Sequence, residues 1–113
     1  SEHLKELHRK KLMSKNNYLI SKKAVEDLEN IWLFTLKKWS VEQADRYYKL
    51  IIDEIIFTSD NYLTEKSIDH IRKGYRVTKI KSHLIFYKKT ENGLMEVIRI
   101  LHQRMDIKSR LKK

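Results

Sequence analysis

The sequence predicts an α+β domain in which two helices precede an antiparallel sheet. Apolar residues recur at helical spacing between residues 21 and 57, and strand-like runs separated by turn residues begin at residue 75. With only two glycines there is no glycine-rich phosphate loop, and no βαβ repeat is visible, so a nucleotide-binding fold is not expected.

Taken in order, Tyr18-Leu19-Ile20 is a short strand candidate ending at Ser21, a good N-cap. Ala24, Leu28, Ile31 and Thr35 then fall on one helical stripe, which Val25, Trp32, Leu36 and Trp39 widen. Ser40 and Gln43 have the spacing of a capping box, opening a second helical pattern through Ala44, Tyr48, Ile51 and Ile55. A junction at Trp39–Ser40 is so short that the two helices must form a hairpin. Residues 58–74 lose the periodicity and read as a connection with an irregular turn. Strands follow at Tyr75–Ile80, Leu84–Lys88 and Met95–Leu101, the last two joined through Asn92-Gly93, whose residues tolerate positive φ. The helices are expected to cover one face of this sheet and leave the other more exposed. Strict alternation puts Val97, Arg99 and Leu101 on one face and Glu96, Ile98 and Ile100 on the other.

Composition narrows the partners. The 113 residues carry 25 Lys and Arg against 15 Asp and Glu, a net charge of +10. Such an excess attracts nucleic acid, an anionic surface or an acidic protein, or is simply a solvated lysine-rich surface. Residues 1–12 read as a basic leader, appended to a single domain at 13–113 that opens at Met13. Removing its four cations and two carboxylates lowers the net charge only from +10 to +8. There is no cysteine, which excludes disulfides and thiolate metal sites and suits a cytoplasmic protein. No apolar run approaches membrane-spanning length, and no His, Asp and Glu set has the spacing of a metal site, so neither membrane, cofactor nor metal is expected.

Polar groups on the sheet are the candidates for chemistry. Arg76 and Arg99 interrupt strands, and each serves an ordered ion pair as readily as a contact with a target. His83 heads one strand and His102 ends another, where either acid–base work or a structural hydrogen bond is open to them. Tyr87 reads as a sheet aromatic. Arg104 either faces a target or fastens the tail through Asp106, which is itself placed to cap a last helical turn. Trp32, Trp39, Tyr47 and Tyr48 are most economically core or rim residues, and Tyr62 an exposed one. The basic face formed by Arg76, Arg99, Arg104, Lys108 and Arg110 is the expected target-binding surface.

With these segments in view, the sequence resembles the ParE branch of the RelE/ParE toxin superfamily, the toxins of bacterial toxin–antitoxin modules. The resemblance runs over about residues 18–107. It rests on Tyr18-Leu19-Ile20-Ser21, on Ala24 with Asp27-Leu28, and on Trp39, Gln43-Ala44 and Tyr47. Gly74-Tyr75-Arg76, His83-Leu84-Ile85-Phe86-Tyr87 and the closing run from Ile98 to Asp106 complete it. Ser40 stands where many relatives have glycine, and the proline and glycine that usually follow the second helix are missing. The resemblance implies a helical hairpin on a twisted antiparallel sheet, with the N-terminal strand at one edge. It also implies a type II toxin that binds and poisons DNA gyrase, blocking replication, and that an acidic, partly disordered antitoxin silences in a hetero-oligomeric complex. Such systems stabilise plasmids. The sister RelE branch cuts messenger RNA at the ribosome; Arg76, Tyr87, His102 and Arg104 are the positions that would imitate its basic and aromatic set. A basic DNA-binding or structural module is the third reading.

Overall fold

The computed structural model describes residues 18–61, 66–69 and 71–111. The basic leader at 1–12, the Met13 opening, Tyr62 and the last two lysines lie outside the described residues. Strand β1 (Tyr18–Ile20) leads into helices α1 (Lys22–Lys38) and α2 (Val41–Asp60). Strands β2 (Lys66–Ser67), β3 (Arg76–Ile80), β4 (His83–Lys89) and β5 (Met95–His102) follow, and a short helix α3 (Ile107–Leu111) closes the chain. The five strands form one sheet in the order β1-β5-β4-β3-β2. β1 lies at the edge and runs parallel to β5, while every other neighbouring pair is antiparallel. This is the expected α+β architecture.

Caps at both helix starts set the helical layer. Ser21 Oγ accepts the Ala24 N–H at 3.0 Å and donates to the Ile98 carbonyl at 2.8 Å, so one hydroxyl both caps α1 and ties it to β5. Ser40 Oγ accepts from Gln43 N at 3.1 Å. The other half of the expected capping box is replaced, since the Gln43 carboxamide oxygen accepts from Arg46 Nη1 at 2.6 Å. Between the hairpin and the sheet lies a core built on Ile51, Ile52, Ile55, Ile85, Tyr87 and Val97, each 0% exposed. Burying each of the aliphatic side chains among them contributes about 1.5–3 kcal/mol before the entropy of ordering it.

Two expectations about the sheet are corrected. The ladder between β4 and β5 shifts register between Phe86 and Tyr87: Phe86 opposes Arg99, but Tyr87 opposes Val97. Ile98 is the extra residue of a bulge, and one extra residue reverses the facing of everything beyond it. Val97 and Ile100 therefore both belong to the helix-facing core, while Leu101 faces the other way. That other side is not left bare. Ile68, Tyr75, Phe86, Leu101 and Leu111 form a second buried cluster there, with Ile71 and Ile107 packed against it. The sheet face looked open because its cover comes from two short segments with weak local signals: the turn after β2 and helix α3.

The described residues of the 58–74 connection comprise the last residues of α2, the short strand β2 and a hydrogen-bonded turn. In that turn Ile68 O accepts from Ile71 and Arg72, and Gly74 takes φ +83°. At the other hairpin, Gly93 donates to Thr90 O and adopts φ +85°, so Asn92-Gly93 sits inside a longer loop rather than forming a two-residue turn.

Candidate functional site

One end of the molecule carries an open groove of about 1000 Å³, bounded by the outer face of α1, the start of α2, the turn between β3 and β4, and the end of β5 running into α3. Its rim is apolar and exposed: Phe34 is 64%, Trp39 66% and Met105 40% accessible, and all three line it. Five cationic side chains, Lys23, Arg46, Lys81, Arg99 and Arg110, line it against two acidic ones, Glu26 and Asp27. Helix geometry explains Phe34. At roughly 100° per residue it lies about a quarter-turn off the buried stripe of α1, which leaves it toward solvent. Lys38, one turn on, places its ammonium 5.6 Å from that ring.

The groove floor holds the polar groups. Asp27 on α1 receives Arg99 Nε at 2.8 Å and Nη2 at 2.9 Å, and the Ile100 N–H at 2.9 Å. This fork holds the Arg99 guanidinium above its ordinary pKa, chiefly through the Asp27 hydrogen bond. His83 and His102 stand directly opposite on β4 and β5, ring centroids 5.3 Å apart and edge to face. His83 Nδ1 is 2.7 Å from Tyr47 Oη, which joins the sheet to α2. Burial first, and then the neighbouring His102, push His83 down to about 4. His102 Nδ1 accepts the Arg104 N–H at 3.1 Å. Among the described residues no group of three or more metal-ligating side chains comes together.

The residues expected to act divide by place. Arg99 and Arg110 line the groove, with Arg104 and Lys108 exposed on the adjoining turn and helix. Arg76 is set apart: it opposes Tyr87 on β3, at the far end of β4 from His83. His83 and Tyr87 are four residues apart, roughly 13 Å at 3.3 Å per residue. Tyr87 is 0% exposed within the helix-facing core. The ribonuclease-like set of Arg76, Tyr87, His102 and Arg104 is thus not gathered at one surface. Asp106 caps α3, accepting the Ser109 hydroxyl at 2.9 Å, and that contact holds its carboxyl below the usual carboxylate range. Arg72 fastens the tail, its Nη1 donating to the Leu111 carbonyl at 2.7 Å. Of the four helical aromatics, Trp32 and Tyr48 are core, whereas Trp39 is a prominent exposed rim residue. Sequence reasoning did not single out Phe34; its quarter-turn offset from the apolar stripe, beside Lys38, was the available signal.

No helix among the described residues is long and apolar enough to cross a membrane. Fold and groove together define a small, basic α+β domain with an exposed, apolar-rimmed groove. The family model described as ParE toxin of type II toxin–antitoxin system, parDE, matches residues 18–107, and the chain belongs to that family. Toxin ParE1 of Mycobacterium tuberculosis H37Rv is 39% identical over 92 residues, covering 81% of this chain and 94% of the relative. Toxin ParE1 of Caulobacter vibrioides is 32% identical over 94 residues, covering 83% and 96%. Among solved structures, a chain of the chromosomal ParDE TA system from P. aeruginosa superposes with a TM-score of 0.65 at 16% identity, covering 75% of this chain and 92% of that one. That likeness concerns the fold. As a toxin of this family, the chain has an antitoxin as its partner.

Proposed function

We propose that this toxin acts in the cytoplasm by binding DNA gyrase and halting replication without itself catalysing a reaction, and that an acidic antitoxin silences it by docking in the groove. The observation that carries the reading is the groove itself. It combines an exposed aromatic and methionine rim with five cations against two carboxylates, one of them already committed to Arg99. Apolar anchors ringed by positive charge suit an amphipathic acidic segment, and the charge speeds its encounter. The toxin's basic turn and tail, Arg104, Lys108 and Arg110, adjoin the groove and supply target contacts that a docked antitoxin would obstruct. A parDE pair of this kind stabilises the plasmid or replicon that carries it.

Ribosome-dependent cleavage of messenger RNA is the competing activity, and the burial of Tyr87 weighs against it. A general acid or base must come within hydrogen-bond reach of the proton it moves. A pulse of expression separates the two. Gyrase poisoning stops DNA synthesis first and leaves transcript ends unchanged, whereas site-specific cuts in messenger RNA that disappear on His102→Ala would overturn the proposal. Duplex-DNA binding with a steep salt dependence, in the absence of gyrase, would instead favour a simple DNA-binding module.

A further inference from the structure

The two nitrogens of His102 do different work. Nδ1 accepts the Arg104 N–H at 3.1 Å, and only an unprotonated nitrogen can accept. In this conformation Nδ1 is taken up by the turn, and Nε2 is the nitrogen left to donate. The same turn is closed by Met105 N–H donating to His102 O at 2.9 Å, so both the ring and the carbonyl of His102 hold the turn that carries Met105 to the groove rim. His102 lines the groove and is only partly buried, and no described residue is hydrogen-bonded to its Nε2. Lys81 and Arg99 line the same groove, and the opposed ring of His83 packs against His102, limiting how it can turn.

We propose that His102 is a specificity-determining anchor of the groove, its Nε2–H donating to a carboxylate on the docked antitoxin segment while its Nδ1 clamps the turn. The inference rests on the reading of the groove as the antitoxin site. A carboxylate fits best because the surrounding charge is positive and a charged acceptor makes the stronger hydrogen bond. A ring oriented by the turn and held against a second ring loses little freedom on binding, which is what an anchor needs.

The two amide side chains separate the two jobs. Asparagine can place an oxygen where Nδ1 lies, and glutamine can place an N–H where Nε2–H lies. The toxin is purified with its antitoxin, and dissociation of the complex is measured alongside thermal unfolding of each toxin variant. His102→Asn should keep the melting temperature near the parent's yet weaken the complex about tenfold or more, the loss expected for one hydrogen bond to a charged acceptor. His102→Gln should melt lower, having lost the clamp, yet keep markedly more of the binding than His102→Asn. Parental binding by His102→Asn, or equal weakening by both variants, overturns the anchor. Trp39→Ala and Phe34→Ala test the underlying reading separately. If they leave the complex intact the groove is not the docking site; if they break it while His102→Asn does not, only the anchor fails.

Discussion

Asp27 takes both arms of the Arg99 fork and the backbone N–H of Ile100, three hydrogen bonds converging on one carboxylate. The bond set joins α1 to β5 just beyond the bulge, where the strand has no β1 neighbour, and so replaces a missing ladder contact. Both side chains are mostly buried, at 14% and 11% accessible. Removing one partner strands the other charge. Asp27→Ala should therefore cost about 2–4 kcal/mol, somewhat below the loss for a fully buried pair. Asp27→Asn, which keeps one acceptor, should cost less. Denaturant titration checks the order, and an Asp27→Ala midpoint equal to the parent's would show the fork to be dispensable.

His83 makes the fold acid-sensitive. Its folded pKa, about 4, lies below the ordinary histidine value of 6.5. The folded state therefore binds fewer protons than the unfolded chain between these values, so stability falls as pH drops from about 6.5 towards 4 and is fully present above. The loss is on the order of 2–3 kcal/mol once partial solvent access is allowed for. His83→Asn removes the titrating group and can still face Tyr47. It should flatten the stability slope in that window by about one proton. An unchanged slope, followed by chemical denaturation at several pH values, would exclude His83 as its source.

Arg72 holds α3 by donating to Leu111 O, and its guanidinium packs 5.3 Å from the Tyr75 ring beside β3. Arg72→Ala should cost about 1–2 kcal/mol and raise amide exchange over residues 107–111, with the helical layer protected as before. Uniform loss of protection would mean that α3 does not open on its own.

Ser21 caps α1 and donates across to Ile98. Ser21→Ala removes both, with an expected loss of about 1–2 kcal/mol, and Ser21→Thr should recover most of it. A melting temperature for Ser21→Ala within a degree of the parent's would count against this double role.

Periodicity and turn chemistry were enough to place the helical hairpin, its two serine caps and the three long strands. Those elements are decided locally, by the spacing of Ala24, Leu28 and Ile51 and by the glycine at 93. What the sequence hid is non-local. The bulge at Ile98 depends on how β4 meets β5, and no residue at 98 marks it. The cover on the second face comes from Ile68 and Leu111, each in a segment too short to show a period. The groove was half legible: its cations, its histidines and Trp39 could be named, but a helical stripe says which residues are buried and not that Phe34, Trp39 and Met105 meet on one rim. The ion pair at Arg99 was one of two open readings, and its partner Asp27 lies 72 positions away.

Purified toxin added to DNA gyrase on supercoiled plasmid tests the central claim most directly. Accumulation of cleaved plasmid held on gyrase, absent without gyrase and abolished when the antitoxin is added first, is the expected result. Undiminished supercoiling with no cleaved complex at micromolar toxin would contradict it.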